Sequence, residues 1–212
     1  TIMLNGKIEQ LVVGPVQTNC YLLINTKAQE ALLVDPGADP EAIKDMVEKN
    51  SAVPKAILLT HGHFDHAGAA KTLGDFYQIP IYAHMEEKKT LEEPGINLSG
   101  PMMGKPEVYH ADEYLKDEQE IDLAGFHIRV LFTPGHTSGG CCYYIPMEDV
   151  LFSGDSLFCG SVGRTDFPGG SAATLVRGIK DKLMQLPEQT LVLTGHDART
   201  TIEQERMYNP FL

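Results

Sequence analysis

No stretch of this sequence reaches the roughly 18–20 uninterrupted apolar residues that a membrane helix needs, so a membrane-spanning role is not expected. The N-terminus lacks both the basic segment and the apolar segment of a signal peptide; the chain begins at Thr1 rather than Met, which leaves a removed leader open. Basic residues are scarce: 17 Lys+Arg stand against 29 Asp+Glu, a net charge of −12. A nucleic-acid binder needs a basic surface to displace counterions, so that class is set aside. Part of the acidity would be neutralised locally if aspartates hold divalent cations, and the rest makes a solvated surface. Cysteine occurs four times (Cys20, Cys141, Cys142, Cys159), with no CxxC and no disulfide-dense pattern. The expectation is small, buried, reduced thiols in a cytoplasmic protein. Repeats, linkers and low-complexity segments are lacking too. Residues 1–212 are therefore read as one domain, long enough to bury a sizeable core.

What is present is a series of short apolar runs: "IEQLVVG" (8–14), "CYLLIN" (20–25), "EALLVD" (30–35), "KAILLT" (55–60) and "IPIYA" (79–83). In the second half come "EIDLAG" and "FHIRVLFT" (120–133), with Ala124-Gly125 near a hairpin turn, then "CCYYI", "DVLFSG" and "TLVLTG" (190–195). "KAILLT" is apolar nearly throughout, as expected of a strand buried on both faces. Between them, residues 39–50 read as a helix with Asp39 as N-cap, Pro40 at its first position and Ile43, Met46 and Val47 on its core face. A helix follows from about Ala67. Residues 171–186 form an amphipathic helix with Leu175, Ile179, Leu183 and Leu186 along one side, and a short polar helix starts near Thr201. Residues 94–106, rich in proline and glycine, read as a long loop. Strands with interleaved helices give an α/β or α+β sandwich of mixed sheets.

"LLTHGHFDHAG" (58–68) places His61, His63, Asp65 and His66 within six positions, just past a buried strand. Side chains of such a turn converge at the end of a sheet, where ligands commonly bind. Imidazole and carboxylate suit zinc, iron, manganese or cobalt. Four such groups are too many for one open tetrahedral site, but they can divide between two adjacent ions. Further ligands are then required at other strand ends, and three places supply them: His136 in "TPGHTSGG", Asp155 in "FSGDSLF" and His196 in "TGHD". Each repeats one construction: apolar strand, glycine, ligand.

"THGHFDHAG", "TPGHTSGG", "FSGDSLF" and "TGHD", in this order, resemble the motif series of the metallo-β-lactamase-fold hydrolases, and most closely their glyoxalase II-like branch. "TNCYLL" (18–23), "LVDPGAD" (33–39) and "GSVGRTDFPGG" (160–170) extend the resemblance over nearly the whole chain. It implies an αββα sandwich of two mixed sheets flanked by helices, with two divalent cations at its edge, zinc first and iron or manganese also fitting. One ion would be held by His61, His63 and His136, the second by Asp65, His66 and His196, with Asp155 bridging. The implied reaction is attack of an ion-activated water on a small thioester or ester carbonyl, with Asp65 and Asp155 as the catalytic carboxylates. Asp35 in "VDPG" matches a recurring family aspartate. It would order a ligand turn by hydrogen bonding or simply cap a Pro-Gly turn. Arg164 matches a recurring Gly-Arg and would bind a substrate carboxylate or tie down its own loop by an ion pair. Partners are expected to be a small thioester or ester substrate, with no nucleic acid and no membrane, the chain acting as a monomer or small homo-oligomer.

Departures narrow the resemblance. Glyoxalase II proper carries a helical C-terminal extension that helps hold glutathione. Here sixteen residues follow His196 (212 − 196), which implies a short form without it. Asp155, where many β-lactamases of the superfamily carry cysteine, speaks against β-lactams. Lactonases share the ligand set. The rival class is a persulfide dioxygenase, which would hold one iron through His61, His136 and Asp155. A binding module with no catalytic role is the weakest reading, because all seven ligands are present. His84, His110 and His127 lie outside the ligand motifs and read as surface or structural histidines. At most one of Tyr143 and Tyr144 can face a cleft, and Met102 and Met103 could form an apolar lid.

Overall fold

Strand β1 (Gly6–Val13) pairs antiparallel with β2 (Thr18–Asn25), and β2 is buried along its whole length. Its side chains alternate with the period of the pleat: Cys20, Leu22 and Ile24 enter one core, Tyr21 and Leu23 another. That division organises the computed structural model, which describes residues 6–212. Sheet one continues through β3 (Glu30–Val34), β4 (Val53–Leu58), β5 (Ile81–His84) and β6 (Glu113–Leu115), in order β1-β2-β3-β4-β5-β6. Its pairings are antiparallel as far as β3 and parallel beyond.

The second half supplies β7 (Glu120–Leu123), β8 (Phe126–Phe132), β9 (Cys141–Ile145), β10 (Val150–Gly154), a small hairpin β11 (Leu157–Phe158) and β12 (Ser161–Val162), then β13 (Leu191–Thr194) and β14 (Thr200–Thr201). Sheet two runs β14-β13-β10-β9-β8-β7, antiparallel except between β10 and β13. Both sheets are thus mixed. Between them lies a core of Tyr21, Leu32, Leu58, Ile128, Tyr143 and Phe152 among others. Helices α1 (Pro40–Lys49), α2 (Phe64–Ala67) and α3 (Ala70–Tyr77) cover the outer face of sheet one, where Ile43, Val47 and Leu73 meet Leu22, Leu33 and Ile57. After β5 come α4 (Lys88–Glu92), α5 (Pro94–Asn97) and α6 (Ser99–Met103). The outer face of sheet two is covered by α7 (Ala172–Gly178), continued by a π-helical turn at Ile179–Leu183, and by α8 (Ile202–Tyr208). This is the expected αββα sandwich. Among the described residues no helix is long and apolar enough to cross a membrane.

Several local expectations change. Residues 94–106 hold α5 and α6 rather than a structureless loop: Pro94 sits at the start of α5, where proline is tolerated, and Gly104 closes α6 in the left-handed region. Asp39 precedes α1 with φ 53°, and its carboxylate accepts from the Gly14 N–H at 2.8 Å instead of capping the helix. The helix expected from Ala67 is two, α2 and α3. Cys141 and Cys142 enter opposite cores, as alternation requires, but Cys159 is exposed, in the turn of the β11-β12 hairpin. The Thr201 hydroxyl does cap α8, accepting from the Gln204 N–H at 3.1 Å. Thr201→Ala is expected to cost about 1 kcal/mol, read as a lower urea midpoint at unchanged slope.

Candidate metal centre

The strands β3, β4, β8, β10 and β13 all deliver their C-terminal ends to one edge of the sandwich. Asp35 follows β3, the "HGHFDH" turn follows β4, and His136, Asp155 and His196 follow β8, β10 and β13. Their donor atoms fall into two groups, each within 4.8 Å: His61, His63 and His136, and Asp65, His66, Asp155 and His196. Asp155 faces both. Its Oδ2 is 3.3 Å from His136 Nε2 and 3.4 Å from His196 Nε2, and its Oδ1 is 3.2 Å from His66 Nε2. The structure brings all seven residues together.

For four of the five rings an outward hydrogen bond settles which nitrogen turns inward. His66 Nδ1 lies 2.9 Å from Asp35 Oδ2, His136 Nδ1 2.7 Å from the Arg164 carbonyl, and His196 Nδ1 3.3 Å from the Gln17 carbonyl. These oxygens only accept, so the protons sit on Nδ1 and the Nε2 lone pairs point inward. The Thr60 hydroxyl donates to Asp35 Oδ2 at 2.7 Å and so accepts from His61 Nδ1 at 3.2 Å, which fixes that ring in the same way. His63 is reversed, with Nδ1 inward, 3.1 Å from His136 Nε2. Five ring nitrogens and two carboxylates therefore face one another. His61 Nε2 and Asp155 Oδ1 are buried there without a hydrogen-bond partner. So many ligand-type nitrogens and oxygens crowded together fit divalent cations.

As side chains alone, these groups compete for protons. Burial, with His66 beside it, pushes His61 well below the usual imidazole range, and burial with His136 facing it takes His63 to about 3. Burial also disfavours a charged His196, yet Asp155 and Asp65 push it up to about 10. Burial likewise opposes ionisation of Asp155 and Asp65, but the facing His66 ring, helped by His196, holds both well below the usual carboxylate range. A divalent cation competes for the same lone pairs and releases those protons on binding.

The surrounding groups are equally ordered. Asp35, of the two roles expected for it, bonds a ligand turn: its Oδ1 accepts from the Thr60 N–H at 2.8 Å, besides the bonds to Thr60 Oγ1 and His66. Thr18 Oγ1 donates to Asp65 Oδ2 at 3.0 Å, and Asn19 Nδ2 donates to the Thr194 and Asp197 carbonyls, clamping the His196 turn to sheet one. Gly195 is required by space, since a Cβ there would lie 2.2 Å from Asp155 Oδ1. Gly62 is likewise a matter of space rather than turn geometry, since a Cβ there would lie 3.0 Å from Leu91. Thr18 and Thr60 stand in motifs where the sequence assigns them no role, and the buried Glu87, whose carboxylate bonds the Gly62 N–H, lies in no motif.

Above the cluster opens a cleft of about 430 Å³, with Val16, Leu98, Met102, Phe158 and Phe167 in its walls. Among the described residues, Arg164 is the single Lys or Arg lining it. Its guanidinium is paired with Asp166 (two contacts of 2.7 Å) and lies over the Phe167 ring, while its carbonyl orients His136. Met103, Tyr143 and Tyr144 are not part of the cleft; both tyrosines are buried. His110 and His127 are exposed, whereas His84 is buried and stacked on Phe132 at 4.1 Å.

The profile of the metallo-beta-lactamase superfamily matches residues 13–196. A probable metallo-hydrolase of Bacillus subtilis is 41% identical over 211 residues, 97% of each chain. A hydroxyacylglutathione hydrolase of Haemophilus influenzae is 37% identical over 208 residues, again 97% of each. Among solved structures, a B3 metallo-beta-lactamase superposes with a TM-score of 0.92 at 44% identity, over 97% of this chain and 99% of the other. A second, determined in a di-iron-bound form, gives 0.83 at 36% identity, over 96% of this chain and 100% of the other.

Proposed function

Because this chain belongs to the metallo-beta-lactamase superfamily, we propose that it is a dinuclear metal-dependent hydrolase of small thioesters. His61, His63 and His136 would hold one divalent cation and Asp65, His66 and His196 the other, with Asp155 shared. Nitrogen and oxygen donors suit zinc, and equally iron or manganese. Bound there, such a pair supplies Lewis acidity and lowers the pKa of water towards neutrality. The observation that carries this reading is the cluster of five inward-turned imidazoles and two carboxylates at the floor of a cleft walled in part by Val16, Leu98, Met102, Phe158 and Phe167.

The chain's own groups do the rest. Asp65, held by the Thr18 hydroxyl, presents a fixed carboxylate that can orient a water's proton. The apolar part of the walls can receive the non-reacting parts of the acyl group. Arg164, the one Lys or Arg among the described residues lining the cleft, can take a carboxylate by exchanging Asp166 for it. Arg164→Ala is expected to raise KM for a glutathione thioester about 3–10-fold with little change in kcat, and to leave a thioester of a neutral thiol unaffected. Equal KM values for both substrates in the variant and the parent would remove Arg164 from recognition.

Two neighbours bear on the substrate. The Haemophilus influenzae relative is named for a hydroxyacylglutathione and is matched along its length, which supports a thioester. The B3 metallo-beta-lactamase weakens the expectation that Asp155 speaks against β-lactams and supports a second reading, amide hydrolysis in a strained ring. Metal-loaded protein should be assayed with a hydroxyacylglutathione, a lactone and a chromogenic β-lactam. The thioester is expected to turn over with kcat/KM on the order of 10⁴ M⁻¹s⁻¹ or more, about 100-fold above the β-lactam. Faster β-lactam turnover would reverse the assignment.

A further inference from the structure

Two buried carboxylates border the cluster without entering it. Asp35 bonds His66 and so supports the group that contains Asp65, His66, Asp155 and His196. The other is Glu87, wholly buried in the 3₁₀ turn Met85–Glu87 that follows β5. Its Oε2 accepts from the Gly62 N–H at 2.9 Å and from the Thr137 hydroxyl at 2.5 Å, and its Oε1 accepts from the Gly139 N–H at 3.1 Å. Gly62 stands between His61 and His63, and Thr137 directly follows His136. One side chain therefore bonds both turns that carry the three-histidine group.

Resting on the two-ion reading above, we propose that Glu87 is the positioning residue of the His61–His63–His136 group, fixing the separation of its two turns and hence that group's affinity for a divalent cation. Burying a carboxylate costs several kcal/mol unless donors satisfy it. Among the described residues Glu87 has no Lys, Arg or His partner; the three hydrogen bonds from the two ligand turns, with the Thr90 hydroxyl beside them, partly offset a burial that still pushes its carboxyl above the usual range. The fit is close: a Cβ on Gly139 would lie 2.4 Å from Glu87 Cα. A glutamine cannot replace it, because three donors converge on two oxygens and an amide NH₂ would face at least one N–H or O–H donor. Glu87 thus bonds only the two turns of the three-histidine group, whereas Asp35 bonds His66 directly and reaches His61 through the Thr60 hydroxyl.

The test is a zinc titration of chelator-stripped protein against a chromophoric chelator, on the parent, Glu87→Gln, Asp35→Asn and the double variant. Glu87→Gln is expected to weaken one equivalent about 10–100-fold and leave the other as tight as in the parent. Thr137→Val, which removes one donor at nearly constant shape, is expected to weaken the same equivalent by about threefold to tenfold. If the two carboxylates support different halves, the double variant holds neither equivalent tightly. Unchanged binding in Glu87→Gln, equal weakening of both equivalents, or one tight equivalent surviving in the double variant would each overturn the proposal. A parent that binds a single zinc would defeat the two-ion reading instead. Glu87 would then stand or fall on whether that ion binds more weakly in Glu87→Gln.

Discussion

Asp155→Ala is expected to lower kcat/KM by about 10³-fold or more and to reduce the bound metal from two ions per chain to one or none. Asp155 is the carboxylate that faces both groups, within 3.4 Å of ring nitrogens of His66, His136 and His196. Removing it would leave two dications, held as proposed, without the anion that screens them from each other. Loss of about 4 kcal/mol of transition-state stabilisation corresponds to a factor of about 10³. The expectation is checked by metal analysis and steady-state kinetics on the same preparation. Full metal content with full activity would remove Asp155 from the site.

Asp35→Asn is expected to act on stability and affinity together. The Asp35 carboxylate accepts three hydrogen bonds inside the protein, from Thr60 N–H, Thr60 Oγ1–H and His66 Nδ1–H. Asparagine keeps the volume and tolerates the left-handed backbone at this position (φ 52°). Its NH₂, however, must then face the Thr60 hydroxyl and His66 Nδ1. A buried donor left unsatisfied costs about 1–3 kcal/mol, so urea unfolding of the metal-free variant should show a loss of about 2–3 kcal/mol. The His66 ring also loses the acceptor that keeps its Nε2 lone pair inward, and the ion it helps hold should bind about 10–100-fold more weakly. A variant of parental stability and affinity would show that Asp35 merely occupies its turn.

The seven acceptors are legible in the sequence because each sits at the end of an apolar strand, where chain direction alone fixes the place. The strand–glycine–ligand construction at Asp155 and His196 carries that information without any knowledge of the partner strands. Glu87 is not legible. In "HMEEKKTLEE" it reads as one more solvated charge, and its partners, the amides of Gly62 and Gly139, become neighbours only when β4, β5 and the turn after β8 meet. The same limit applies to Thr18, whose bond to Asp65 spans the start of β2 and the start of α2. Element boundaries fail for local reasons. Pro94 and Gly104 punctuate a loop and the ends of short helices alike, and the Asp39 carboxylate finds a tertiary donor, Gly14 N–H, in place of its own helix.

The central claim, two ions held by one continuous cluster, is tested most directly by elemental analysis of protein made in unsupplemented medium and purified without chelators. About two equivalents per chain, of zinc, iron, manganese or a mixture, is the predicted result. Close to one equivalent of iron and little else would contradict it and point to oxygen chemistry at His61, His136 and Asp155 alone.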